Sequence, residues 1–178
     1  MTESEIFEET CAERARLLSL LEGLTPEQWG SPSLCAGWRV REVVAHMTMP
    51  FRTSPLRFVT GLARARFSFD RYADRTARAD TAALTDDGLV AQLRDNIRHG
   101  WRPPGGGEVG ALSHDVIHGL DITEPLGLPA PPAERSRPSC GAPDPATSTT
   151  SACAWTGPGS WPPTPTCRSA TGARCGCR

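Results

Sequence analysis

Apolar residues recur along the first 130 positions at helical spacing. Val40, Val43, Val44 and Met47 stand at i, i+3, i+4 and i+7, the stripe of an amphipathic helix, and Pro50 is expected to end it. Residues 3–23 are rich in helix formers and carry Ile6, Leu17, Leu18, Leu20 and Leu21, with Gly23 weakening the end and Leu24 just beyond. Thr25-Pro26-Glu27-Gln28 then combines an N-cap, a proline at the first helical position and a Gln three after the cap. That pattern predicts a short helical turn carrying Trp29 inward. Leu89, Val90, Leu93 and Ile97 make the next stripe, over residues 85–99, with Thr85 as cap, Asp86 and Asp87 in the first turn and Gly100 as the stop. A last helix runs from about Glu108 to Glu124. Leu112, Val116, Ile117 and Leu120 are its apolar contacts, and Pro125, Gly127 and Pro129 close it. Between residues 51 and 80, arginines interrupt the apolar positions. The reading there is one broken helix plus a loop, with the arginines on a solvated face. Four substantial helices and no convincing strand predict an all-α fold, a helical bundle over residues 1–130.

Beyond Pro131 the pattern stops. The stretch from Pro131 to Arg178 contains no Ile, Leu, Val, Phe, Met, Tyr, Lys, Asn, Gln or His. Such a segment cannot bury enough apolar surface to offset its ordering entropy, so residues 131–178 are expected to form a disordered or irregular tail. The tail nevertheless concentrates Cys and Trp, which ordinary linkers do not. An out-of-frame translation of GC-rich coding sequence accounts for this. Codons from Cys153 onward can be re-read with the last base of each joined to the first two of the next, taking G or C at free third positions. Ala154 to Trp161 then becomes Arg-Leu-Asp-Gly-Pro-Gly-Val-Val, an ordinary protein composition. The slip would lie near Glu134 to Cys140, and resequencing the gene decides it.

Charge and cysteine content narrow the classes. The formal net charge is −1 and no basic patch with interleaved aromatics appears, so nucleic acid is not an expected partner. No apolar run approaches a bilayer span, and no membrane association is expected. The acidic start Met1-Thr2-Glu3-Ser4-Glu5 lacks the features of a secretory leader, so a cytoplasmic location is expected. Only Cys11 and Cys35 of the seven cysteines precede residue 130, and without a secretory leader a secreted disulfide framework is not expected.

The chemistry sits in the last helix. His114, His118 and Asp121 share one face because residues three and four apart stack over successive turns. Two imidazoles one turn apart can grip one divalent ion. His46, on the second substantial helix and three residues after Val43, is the candidate third ligand. Three neutral imidazoles suit zinc, nickel or iron and leave positions open for water or substrate. Asp121, and less favourably Asp115, are candidates to support catalysis from behind by orienting a ligand histidine. The bland alternative is a set of ordinary helix histidines in a purely structural bundle. His99 is read as a C-terminal helix cap, and Cys35 as a small residue packing beside Trp38.

Three stretches together carry a family resemblance. They are Leu24-Thr25-Pro26-Glu27-Gln28-Trp29; the run from Ser33-Leu34-Cys35-Ala36-Gly37-Trp38 to Val43-Val44-Ala45-His46; and His114-Asp115-Val116-Ile117-His118-Gly119-Leu120-Asp121 with Pro125-Leu126-Gly127. Over roughly residues 5–130 the chain resembles the mycothiol-dependent maleylpyruvate isomerase N-terminal family, within the DinB-like superfamily. The resemblance implies a four-helix bundle holding a divalent metal, usually zinc, on His46, His114 and His118. The position of His114 is Glu in some relatives. It also implies mycothiol as a low-molecular-weight thiol cofactor and a small electrophilic substrate. The thiolate adds to a double bond, permits rotation and leaves again, giving cis–trans isomerisation; other members are thiol transferases. Many relatives carry a C-terminal domain that helps form the active site, and this chain departs from that pattern after Pro131. The alternatives to an isomerase or S-transferase are a non-catalytic metal-binding module and an inactive truncated member of the family.

Overall fold

The computed structural model describes residues 1–132. The expected tail and its reading frame lie outside the described residues, apart from Pro131 and Pro132. Among the described residues there are seven helices and no strand: α1 Glu3–Leu21, α2 Pro26–Gly30, α3 Val40–Arg52, α4 Pro55–Arg64, α5 Phe69–Ala83, α6 Asp86–Asp95 and α7 Gly107–Leu126. The all-α expectation holds. The four substantial helices expected from the sequence, α1, α3, α6 and α7, form a closed ring in which α1 packs on α7, α7 on α3, α3 on α6 and α6 on α1. Leu17, Leu21, Val40, Val43, Val44, Met47, Leu89, Leu93 and Ile122 fill its centre. The predicted short turn is α2, with Thr25 and Gln28 capping each other and Trp29 buried against the same core. No helix among the described residues is long and apolar enough to cross a membrane.

Several local expectations need correction. Residues 55–83 form two helices, where one broken helix plus a loop was expected over residues 51–80. Ser54 caps α4 and Ser68 caps α5, and Arg66 and Phe67 turn the chain between them in the left-handed region, at φ 56° and 57°. The helix α5 packs outside the ring on α3, through small residues such as Ala73 and Ala77 that carry little hydrophobic pattern. The arginines from Arg57 to Arg78 are exposed, as expected of a solvated face. The helix α6 stops at Asp95, where Asn96 takes the cap position, so His99 lies beyond it and caps nothing. Ile117 is half-exposed, while Leu112 and Val116 are buried against Ile6.

Two prolines sit inside helices where breaks were expected. Pro50 has no N–H for the carbonyl of His46, four residues back. The turn continues to Arg52 because the Arg52 guanidinium donates to the Ala45 carbonyl at 2.9 Å and to the Thr48 hydroxyl at 2.8 Å. Pro125 likewise has no N–H for the carbonyl of Asp121. The helix α7 runs one residue further and ends on Gly127, whose φ of 63° suits a left-handed C-cap. Gly119 sets the distance between α7 and α1: a Cβ there would lie 3.1 Å from Leu17 Cδ2 and 3.3 Å from Glu13 Oε1. That close approach brings polar residues of α1 within reach of α7.

Candidate metal centre

His46, His114 and His118 converge. On α3, the side of the helix opposite to solvent carries Val43, Val44 and Met47 into the core, and His46 is buried beside them facing α7. On α7, the i, i+4 spacing places the rings of His114 and His118 with centroids 4.7 Å apart. The His46 ring lies 5.4 Å from that of His114 and 4.9 Å from that of His118. One ring nitrogen of each can be chosen so that all three lie within 4.8 Å of one another. The rings of Trp38 and Trp101 wall the cluster, at 5.2 Å from His46 and 5.1 Å from His114, and Phe69 stands 6.5 Å from His46. Trp38 is itself held by a bond from Nε1 to Asp74 at 2.9 Å. A cavity of about 400 Å³ elsewhere, lined by Glu3, Phe7, Arg102 and Glu108 among others, contains none of these histidines.

The protons can be assigned from the partners. Nδ1 of His118 lies 2.9 Å from Asp121 Oδ2, and Nδ1 of His114 lies 2.9 Å from Asp115 Oδ1. An ionised carboxylate only accepts, so each Nδ1 carries the proton and each Nε2 keeps a free lone pair. Spacing alone favours Asp121 over Asp115, since adjacent helix residues do not face each other. The structure places each carboxylate at the same distance from its imidazole. On His46, Nδ1 is buried with no hydrogen-bond partner. Burial, reinforced by His114 and His118, pushes His46 down from its ordinary 6.5 to about 3. Burial also lowers His114, outweighing the opposing pull of Asp115. Two imidazoles held neutral in this way, with a third ring beside them and an orphaned buried nitrogen, form a donor set that fits a borderline divalent cation.

Cys35 is the residue that the sequence undervalued. It does pack in the apolar layer that includes Trp38. Its Sγ also donates to Asp121 Oδ2 at 3.1 Å and lies 4.0 Å from Nδ1 of His118. The loop that carries it is docked by the Leu34 N–H, which donates to the Asp121 carbonyl at 3.1 Å. That carbonyl is the one Pro125 leaves without its helical donor. Gly37, at φ 78°, lets the loop turn back so that Ser33 N–H reaches the Trp38 carbonyl at 3.0 Å. Burial, and then the hydrogen bond and charge of Asp121, push the Cys35 thiol up to about 12. It is therefore a protonated donor at neutral pH rather than a nucleophile. A Cys eleven residues before the candidate ligand, in a Gly-containing turn, was the available signal. His99 contributes no ring to the cluster: it packs on Phe51 at 5.0 Å, and its Nδ1 accepts from the Trp101 N–H at 3.1 Å.

A comparison with known families bears on this arrangement. The family model described as mycothiol maleylpyruvate isomerase N-terminal domain matches residues 11–100. The chain belongs to that family. The matched span contains His46, Cys35 and Trp38 and ends before α7, so the family assignment and the convergence of His114 and His118 on His46 are separate observations. No curated protein and no solved structure matches the chain.

Proposed function

We propose that His46, His114 and His118 bind one divalent metal ion, zinc by donor type, and that the chain serves a mycothiol-dependent isomerisation or S-transfer on a small electrophile. The convergence of three imidazoles, two of them with Nδ1 tied to carboxylates, supports the metal. The family supports the thiol. Each Nε2 of His114 and His118 is a lone-pair donor, with His46 closing the set from the neighbouring helix α3. Asp115 and Asp121 hold the histidine protons on the far side and fix the orientation of each ring. Trp38, Trp101 and Phe69 limit water around the cluster. A zinc ion held there supplies the Lewis acidity that keeps a thiol ionised at neutral pH. The reaction class is addition of that sulfur to an activated double bond and its departure after rotation, or transfer of the sulfur to the electrophile.

Metal analysis of the purified chain is the first test. About one equivalent of zinc is expected, lost in His46→Ala and in His118→Ala; a chain without stoichiometric metal overturns the reading. Adding mycothiol and maleylpyruvate then tests turnover. The family's description as an N-terminal domain favours a second reading, a metal-binding module without turnover of its own. Zinc bound with no product formed would select it.

A further inference from the structure

Arg14 is absent from the reading above, yet it is 1% exposed. It lies on the α1 stripe that also carries Thr10, Leu17 and Leu21. A guanidinium so far from water persists only where its donors are met. Nε donates to Asp115 Oδ2 at 2.7 Å. Nη1 donates to the carbonyls of His99 at 2.7 Å and Ile97 at 3.2 Å. The Phe51 ring lies against the guanidinium carbon at 5.2 Å. The other oxygen of Asp115, itself 2% exposed, receives the Nδ1 proton of His114.

We propose that Arg14 is a positioning residue for His114: it pins Asp115, and Asp115 then fixes the imidazole as the Nδ1–H tautomer with Nε2 as the metal donor. The inference rests on the metal reading above and deepens it. Helical spacing does not turn neighbouring residues toward each other, so the His114–Asp115 bond needs a cause outside α7. Arg14 supplies one by engaging the far oxygen of Asp115. Its grip on the carbonyls of residues 97 and 99 also anchors the segment leading to Trp101, whose ring meets that of His114 edge to face. One buried cation thus fixes both the proton and the wall of one ligand. Among the described residues, the ion pairs of Asp121 include no arginine.

The test uses the full chain without metal and then with zinc. Ring nitrogen NMR on the metal-free protein reads the His114 tautomer directly. In the wild type, Nδ1–H is expected. Arg14→Met is expected to give a mixture of tautomers and to weaken zinc, measured against a chromophoric chelator, roughly 10–100-fold. Arg14→Lys, which keeps the charge but has no fork to hold Asp115 and two carbonyls together, is expected to fall between them. A lower Tm with the tautomer and the zinc affinity unchanged would show a merely structural arginine and overturn the proposal. If Arg14→Met does not fold, Arg14→Lys and Asp115→Asn decide by the same two readouts, and wild-type behaviour in both overturns it. A wild-type chain that binds no zinc defeats the metal reading, whereas the tautomer in the metal-free chain still decides the role of Arg14.

Discussion

His114 and His118 stand one turn apart on α7, and each has Nδ1 2.9 Å from a carboxylate, but the two carboxylates have different surroundings. Asp115 is buried and paired with Arg14 at 2.7 Å. Asp121 is half-buried and, among the described residues, is met from outside its helix by the Cys35 thiol and by the Leu34 amide at its carbonyl. The first arm is a neutralised ion pair sealed in the bundle, so it controls geometry more than charge. The second leaves a carboxylate behind its imidazole with no arginine among its ion pairs in the described residues, so it orients that ligand without a cation of its own. Equal distances therefore conceal unequal roles: one arm belongs to the fold as much as to the site, and the other belongs to the site.

The contrast is sharpest in stability. Arg14→Met leaves Asp115 buried with only the His114 ring as partner and no cation, and is expected to cost about 3–5 kcal/mol in denaturant unfolding. A loss under about 1 kcal/mol would remove the distinction between the arms. Asp121→Asn keeps an acceptor for His118 but loses the charge. Zinc affinity is expected to weaken roughly 10–100-fold, with unfolding free energy changed by less than about 1 kcal/mol. The reverse result, lost stability with unchanged affinity, would assign Asp121 to the fold instead.

Acidification probes the buried side of the site. His46 is held to about 3 in the folded chain against 6.5 ordinarily, so the unfolded chain binds the extra proton between those values. The metal-free protein is thus expected to keep this contribution above pH 6.5. It should lose the contribution as pH falls toward 3, with a slope approaching about 1.4 kcal/mol per pH unit. His46→Gln should flatten that slope in urea titrations at several pH values; an unchanged slope would place the titration elsewhere. The smallest effect is expected from Cys35→Ala, which removes one weak thiol donor and should cost about 1 kcal/mol or less. A larger loss would mean that the loop, rather than Asp121, organises the second arm.

These two arms also mark how far the sequence could be read. The stripes and caps of α1, α3, α6 and α7 are periodic and self-contained, so the ring of helices and the three converging histidines were legible before any coordinates. The pair α4 and α5 was not, because α5 packs through alanines and one tyrosine amid arginines. The second arm was half-visible, since His118 and Asp121 are three residues apart on one helix. The first depended on a partner 101 residues away. Its one signal was a charge standing on the apolar stripe of Leu17 and Leu21. Cys35 was equally hidden, because its bond to Asp121 spans 86 residues.

Pro125 shows what a missing hydrogen can do at a distance. An alanine there would return an N–H to the Asp121 carbonyl and put a second claimant beside Leu34. With proline, the i+4 donor is gone and the Leu34 amide of the loop takes that oxygen. The Leu34 amide is thereby a natural clock for the mouth of the site. Its exchange with deuterated solvent counts how often the Cys35 loop lifts from α7, independently of how often the bundle itself unfolds.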